Sequence, residues 1–164
     1  MPDFNVNDAV IHCREGLSTI IGSKEMNGKD YFLVQANRMS GETFYVPVES
    51  AGSIIRHIMS TEEADELLRY LKAIDCEINT NTKQRRDAYK RRLSSGDVKD
   101  IAYLYRQLYF YTIDSNENPD IKLGPVDLEM LNYASNMLLD ELTITYKQSR
   151  EEIEEFIAKR ISSL

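Results

Sequence analysis

Lysine and arginine side chains crowd one short stretch of this chain, residues 82–98, and the chemistry they offer is electrostatic attraction for phosphate. Between Lys83 and Arg106 stand eight basic residues (Lys83, Arg85, Arg86, Lys90, Arg91, Arg92, Lys99, Arg106) and three acidic ones (Asp87, Asp97, Asp100), a local charge of +5. Residues 1–82 and 107–164 each carry −6, so the net −7 of the 164-residue chain hides a polarised molecule. A uniformly acidic surface repels nucleic acid, whereas a basic stripe between acidic flanks can meet a phosphate backbone on one face. The alternative is a solvated helix face with no partner.

Other residues with reactive side chains do not assemble into a catalytic pattern. His12 and Cys13 are neighbours on one expected strand and point to opposite faces, and neither Cys76 nor His57 has a catalytic companion nearby in sequence. Glu62, Glu63, Asp65 and Glu66 are explained by the acidic first turn of a helix rather than by a metal. There is no Gly-rich phosphate loop and no zinc-ligand spacing. A cofactor, a metal and an enzymatic activity are therefore not expected.

The chain is long enough for one ordinary domain or two small ones. No apolar run reaches the roughly 20 residues a membrane helix needs, and the start, Met-Pro-Asp-Phe, lacks the features of a signal peptide. Two distant cysteines fit no disulfide framework, so reduced thiols in a cytoplasmic protein are expected. A monomer is expected as well.

Two kinds of periodicity position these residues. Residues 4–55 alternate with the period of half-buried strands, at 9–13, 18–24, 30–36, 42–48 and a short fifth at 53–55. Asn27-Gly28 suits the type I′ turn of a tight hairpin, and Ser40-Gly41 closes the next. Along the fourth strand Phe44, Val46 and Val48 share the core face, leaving Thr43, Tyr45 and Pro47 on the open one. About 50 residues in short strands bury an inner face by curling into a small SH3- or Tudor-like barrel. The expected fold class is thus α+β, with such a barrel first and an all-α helical domain after it.

The helical half starts at the capping box Ser60–Glu63 and runs to about Cys76. A basic helix follows at about 83–94. Ala88, Tyr89 and Leu93, with the stems of Arg86 and Arg92, are expected inward, and Lys83, Arg85, Lys90 and Arg91 outward. Gly96 takes a left-handed position and Asp97 caps a helix at 98–112, where Tyr105 and Tyr109 join the core stripe and Tyr103 and Phe110 stay outside it. Gly124-Pro125 opens a helix to about Thr145 with Leu128, Leu131, Ala134, Leu138 and Leu142 inward. The tail from Ser149 reads as a further helix or a frayed end.

The order of these features resembles the CarD-like bacterial transcription regulators, whose N-terminal module is shared with transcription-repair coupling factors. Val46-Pro47-Val48-Glu49, Ser95-Gly96-Asp97-Val98 and the pattern after Leu123 carry the resemblance, which spans about residues 4–145. It implies a Tudor-like domain, residues 1–58, that binds the RNA polymerase β subunit through Lys24, Thr43, Tyr45 and Pro47. It also implies a helical domain, residues 59–164, that touches promoter DNA without sequence preference through Thr82, Lys83, Arg85, Arg86, Lys90 and Arg91 and stabilises the open complex. Thr82 stands where some members carry a wedge tryptophan, and this chain has no tryptophan. The acidic segment after Tyr146 is expected to be an addition to the family's pattern. A second reading keeps the polymerase contact or another protein contact and drops the DNA.

Overall fold

The computed structural model describes residues 3–38, 42–74, 78–113 and 122–162. Of the side chains of Phe110, Ile113 and Ser162, inside that range, nothing is said. The chain forms two compact units, Met1–Met59 and Ser60–Leu164. The turn at Ser40-Gly41, Cys76 and the loop 116–120 lie outside the described residues.

The first unit is an antiparallel sheet of β1 (Ala9–His12), β2 (Gly16–Met26), β3 (Lys29–Ala36), β4 (Thr43–Pro47) and β5 (Ile55–His57), in the order β4-β3-β2-β1-β5. Asn27 and Gly28 take φ of 52° and 77° between β2 and β3, as a two-residue I′ hairpin demands. Residues 53–55, read as a fifth strand, divide between a 3-10 helix (Val48–Ser53) and β5, which lies further on. That helix carries the chain from one sheet edge to the other. Four spacings of about 4.8 Å would hold flat edges about 19 Å apart. The segment is two short 3-10 turns joined across a kink at Ser50; even six residues of straight 3-10 helix would advance only about 12 Å, so the sheet has to curl. The curl closes over Phe4, Val10, Ile20, Val34, Val46, Ala51 and Ile55, with Phe32 and Ile54 packed against them.

Among the described residues the second unit has five helices: α1 (Thr61–Ala73), α2 (Thr82–Ser94), α3 (Val98–Ile113), α4 (Pro125–Tyr146) and α5 (Arg150–Ser162). Together with the sheet, this is the α+β class expected from the periodicities. At the start of α1 both bonds of the capping box form, Glu63 N to Ser60 Oγ at 3.1 Å and Ser60 N to Glu63 Oε1 at 3.2 Å. α1 stops at Ala73, short of the expected Cys76. Gly96 has φ of 71°, and the Asp97 carboxylate accepts from Lys99 N at 2.9 Å to start α3.

The core of this unit is built from Leu67, Leu68 and Leu71 of α1, Leu104, Tyr105 and Leu108 of α3, Leu138, Leu139 and Leu142 of α4, and Ile153 and Ile157 of α5. Ile153 and Ile157 of α5 are fully buried, so the segment after Ser149 is a core helix and not a frayed end. On α4 Ala134, Leu138 and Leu142 lie inward as expected, but at its first turn Leu128 is 51% exposed and Asp127 beside it is buried.

Candidate nucleic-acid interface

α2 is almost devoid of apolar side chains, so something other than hydrophobic burial must hold it against the rest of its unit. Its first turn is capped by Asn81, whose Oδ1 accepts from Gln84 N at 3.0 Å. Its grip on the unit comes from Arg85. The guanidinium donates from Nε to Asp127 Oδ1 at 2.9 Å, from Nη2 to Asp127 Oδ2 at 3.0 Å, and from Nη1 to the Asn79 carbonyl at 2.9 Å. One turn later the Tyr89 hydroxyl donates to Asp127 Oδ1 at 2.6 Å, and the Gly124 amide donates to Oδ2 at 2.8 Å. Arg85, Tyr89 and Asp127 are all buried. Such a pair is stable only if the fork geometry is good and the remaining donors and acceptors are satisfied. Here both conditions hold.

Burial alone would raise the Asp127 carboxyl, but the hydrogen bonds from Arg85, Tyr89 and the Gly124 amide outweigh it and hold it down at about 2. Those to Asp127 raise Arg85 above its usual value, and burial, reinforced by the bond to Asp127, pushes the Tyr89 hydroxyl up. All three groups keep fixed protonation states across the physiological range.

This geometry corrects the expectation for Arg85. Its side chain is 4% exposed and its guanidinium is committed to Asp127 and Asn79, so it has no face to offer a phosphate. Arg86, whose stem was placed inward, is exposed instead. With about 100° per residue, Arg85, Tyr89 and Arg92 mark the inner side of α2, and Lys83, Arg86 and Lys90 fall opposite them. Lys83, Arg86, Lys90 and Arg91 are all exposed, as is Thr82 in the first turn. Asp87 is exposed within the same stripe and subtracts from its charge. Arg92 is spoken for: Nη1 lies 2.7 Å from Asp100 Oδ1 and the guanidinium sits 3.4 Å from the Tyr103 ring centre. The structure thus brings five of the six residues singled out in sequence to the surface and turns the sixth into their anchor.

In the first unit the four residues singled out share one sheet face. Lys24 pairs with Tyr31, and Tyr31 pairs with Pro47. Leu33 pairs with Tyr45, and Gln35 with Thr43. Directly opposed residues of antiparallel strands project to the same side. Lys24, Tyr45, Thr43 and Pro47 therefore surround Tyr31 and Leu33, which sequence reasoning passed over although they hold the same alternation. Tyr45 is 52% exposed, and its strand, β4, is a sheet edge. Register fixes this grouping.

The histidines do other work. His12 Nδ1 accepts from the amides of Arg14 at 3.1 Å and Glu15 at 3.2 Å, and burial lowers its pKa, so it is a neutral turn cap. His57 stacks on Phe4 with ring centres 4.5 Å apart. Cys13 is an exposed free thiol, and among the described residues no group of His, Cys, Asp and Glu could hold a metal ion. No described helix is long and apolar enough to cross a membrane.

A family model described as CarD, C-terminal domain, matches residues 66–158, more than half of the chain and nearly all of the helical unit. The match runs through most of α5, so the acidic segment after Tyr146 is part of the family's domain and not an addition to it.

Proposed function

This chain belongs to the CarD-like family of transcription proteins, and on that premise we propose that it regulates transcription through two weak contacts made together. The outer sheet face of the first unit, with Tyr45 at its centre and Lys24, Thr43 and Pro47 around it, docks on the RNA polymerase β subunit. Its exposed edge strand β4 offers unpaired backbone groups for strand addition. The outer stripe of α2, Lys83, Arg86, Lys90 and Arg91 with Thr82, holds promoter DNA by its phosphates and stabilises the open complex. Linkage of two feeble contacts supplies a high effective concentration for the second once the first has formed.

The observation that carries the DNA half is the division of α2 into an anchored side and a free cationic side. A helix pinned by a buried fork at Arg85 presents its opposite lysines and arginines on a rigid support, and this lowers the cost of ordering them on a phosphate backbone. Thr82 cannot stack on a base or hold strands apart as an indole does. The proposed action is therefore a backbone clamp without a wedge, positioning rather than reading sequence.

The test is open-complex lifetime on a promoter with wild type and with Lys83→Ala/Arg86→Ala/Lys90→Ala. The lifetime shortens with the triple variant if α2 holds the DNA. An unchanged lifetime removes the DNA half and leaves a polymerase- or protein-interaction module.

A further inference from the structure

The last turn of α2 carries hydroxyls that belong neither to its anchored side nor to the cations assigned to DNA. Ser94 closes the helix and Ser95 follows it, and residues 94–97 are all exposed. The two serines have different surroundings. Ser95 Oγ lies 2.5 Å from Asp100 Oδ2 and accepts from the Asp97 amide at 3.1 Å. It holds the turn into α3, and a phosphate there would meet two carboxylates. Ser94 Oγ donates to the Arg91 carbonyl at 2.9 Å. At about 100° per residue, Ser94 falls on the outer stripe between Lys90, four residues back, and Arg91, three back, and both are exposed. Residues at those separations are neighbours on a helix surface. Asp87, two turns back, is the acid that shares this stripe.

Three consecutive cations, Lys90, Arg91 and Arg92, end two residues before Ser94. Such a charge pattern suits a kinase whose substrate groove is lined with carboxylates. Arg92 is held by Asp100 and Tyr103, so Lys90 and Arg91 are the cations the groove reads. The terminal turn is the part of a helix that opens at least cost. Here the Ser95 amide bonds the Arg92 carbonyl at 3.3 Å, a long bond that does little to keep the turn shut.

Resting on the reading of the outer stripe of α2 as the DNA contact, we propose that Ser94 is a phosphorylation site whose phosphate closes on Lys90 and Arg91 and withdraws both from promoter DNA. In the transfer, Ser94 Oγ attacks the γ-phosphorus of ATP. The new O–P bond replaces the bond to the β,γ-bridging oxygen, ADP leaves, and the hydroxyl proton passes to a carboxylate of the kinase. The phosphate brings a charge of about −1.5 to −2 and three acceptor oxygens within reach of two cations of the same helix, and a partner in the same molecule outcompetes a dilute one. It stands at the C-terminal end of α2, where the helix dipole disfavours an anion, so its hold comes from those two side chains.

The test incubates the full-length chain, as wild type and as Ser94→Ala, with magnesium-ATP and the catalytic subunit of cyclic-AMP-dependent protein kinase, an arginine-directed serine kinase. Mass spectrometry should place a phosphate on Ser94 of wild type and find that site lost in Ser94→Ala. The phosphorylated chain should bind a labelled duplex at least tenfold more weakly at low salt, with the slope of log affinity against log salt lower by about 1.8, at roughly 0.9 per cation withdrawn. Ser94→Ala binds as unmodified wild type does, with or without kinase treatment. In phosphorus NMR the second ionisation of the phosphate, about 6 in isolation, should lie lower, and Lys90→Gln/Arg91→Gln should bring it back. Circular dichroism of the phosphorylated chain separates withdrawal of the cations from unfolding of α2. The proposal is overturned if Ser94 takes up no phosphate, if the ionisation is insensitive to the two cations, if weaker binding comes with lost helicity, or if the phosphorylated chain binds DNA as before while Lys83→Ala/Arg86→Ala/Lys90→Ala binds more weakly. If that triple variant itself binds as wild type does, the DNA reading of α2 fails, and the proposal with it.

Discussion

Arg85 and Arg86 are neighbours in sequence with the same side chain, yet one is the most deeply fixed cation of the helical unit and the other lies in water. The difference between the two sides of α2 shows that a basic helix can be held in place by charge rather than by apolar area. Its inner side commits two guanidiniums, those of Arg85 and Arg92, to carboxylates, and its outer side keeps four cations, Lys83, Arg86, Lys90 and Arg91, exposed. The largest consequence is that the two arginines respond in opposite ways to the same change. Arg85→Ala leaves Asp127 buried and ionised without its partner, a loss of about 3–5 kcal/mol. Arg86→Ala should stay within about 0.5 kcal/mol of wild type, as surface substitutions do. Urea denaturation of both variants checks this, and equal stabilities would mean that the Arg85 fork does not anchor the helix.

The next effect sharpens the same contrast through the outer side. Removing Lys83, Arg86 and Lys90 together takes away up to three phosphate contacts. The slope of log affinity against log salt for duplex DNA should fall by about 2.7, at roughly 0.9 per contact, with the melting temperature almost unmoved. Arg85→Lys does the reverse: an ammonium cannot make the two-pronged fork, so stability falls while the salt slope is retained in the fraction that remains folded. A salt slope unaffected by the triple substitution would place the DNA elsewhere.

Why was one side of α2 legible and the other misread? The strands were found because alternation has only two answers per position, and Asn27-Gly28 fixed the register of the hairpin that carries Lys24 and Tyr31. The helix was found from its caps and its spacing. On its inner face Tyr89, Ala88, Leu93 and Arg92 lie as expected and only Arg85 and Arg86 are exchanged, because an arginine at an inward position reads as polar. The partner that neutralises it is Asp127, 42 residues away, itself beside a leucine that looked the better core candidate. Short-range spacing contains no signal for a buried ion pair that closes over such a distance.

A smaller effect comes from acid. The Asp127 carboxyl is held at about 2 in the folded chain against an ordinary 3.8. A depressed carboxyl contributes stability that is fully present above the unfolded value and is lost as pH falls through the folded one. The contribution is roughly 2 kcal/mol, disappearing between about pH 4 and pH 2. Asp127→Asn removes this dependence, so its stability, though lower at neutral pH, should change less across that window than that of wild type. Parallel curves for the two proteins would show that the acid sensitivity lies in other carboxylates.

The smallest effect on the fold, and the sharpest test of the sheet face, is Tyr45→Glu. With the ring half out in solvent and on the face away from Val46, its replacement removes no core contact, and stability should move by less than about 0.5 kcal/mol. The new carboxylate would stand between Leu33 and the edge of the sheet, where a docked partner would have to desolvate it, a cost of about 1–3 kcal/mol without a compensating partner. Co-purification with the polymerase β subunit should therefore drop severalfold or more while the melting curve stays in place. Phe44→Glu supplies the opposite pattern, because its ring lies 5.3 Å from the buried His12 imidazole on the core side, and the change should unfold the unit before it affects any partner. If Tyr45→Glu leaves co-purification intact, the contact lies off this face, and β5 at the other end of the sheet becomes the place to look.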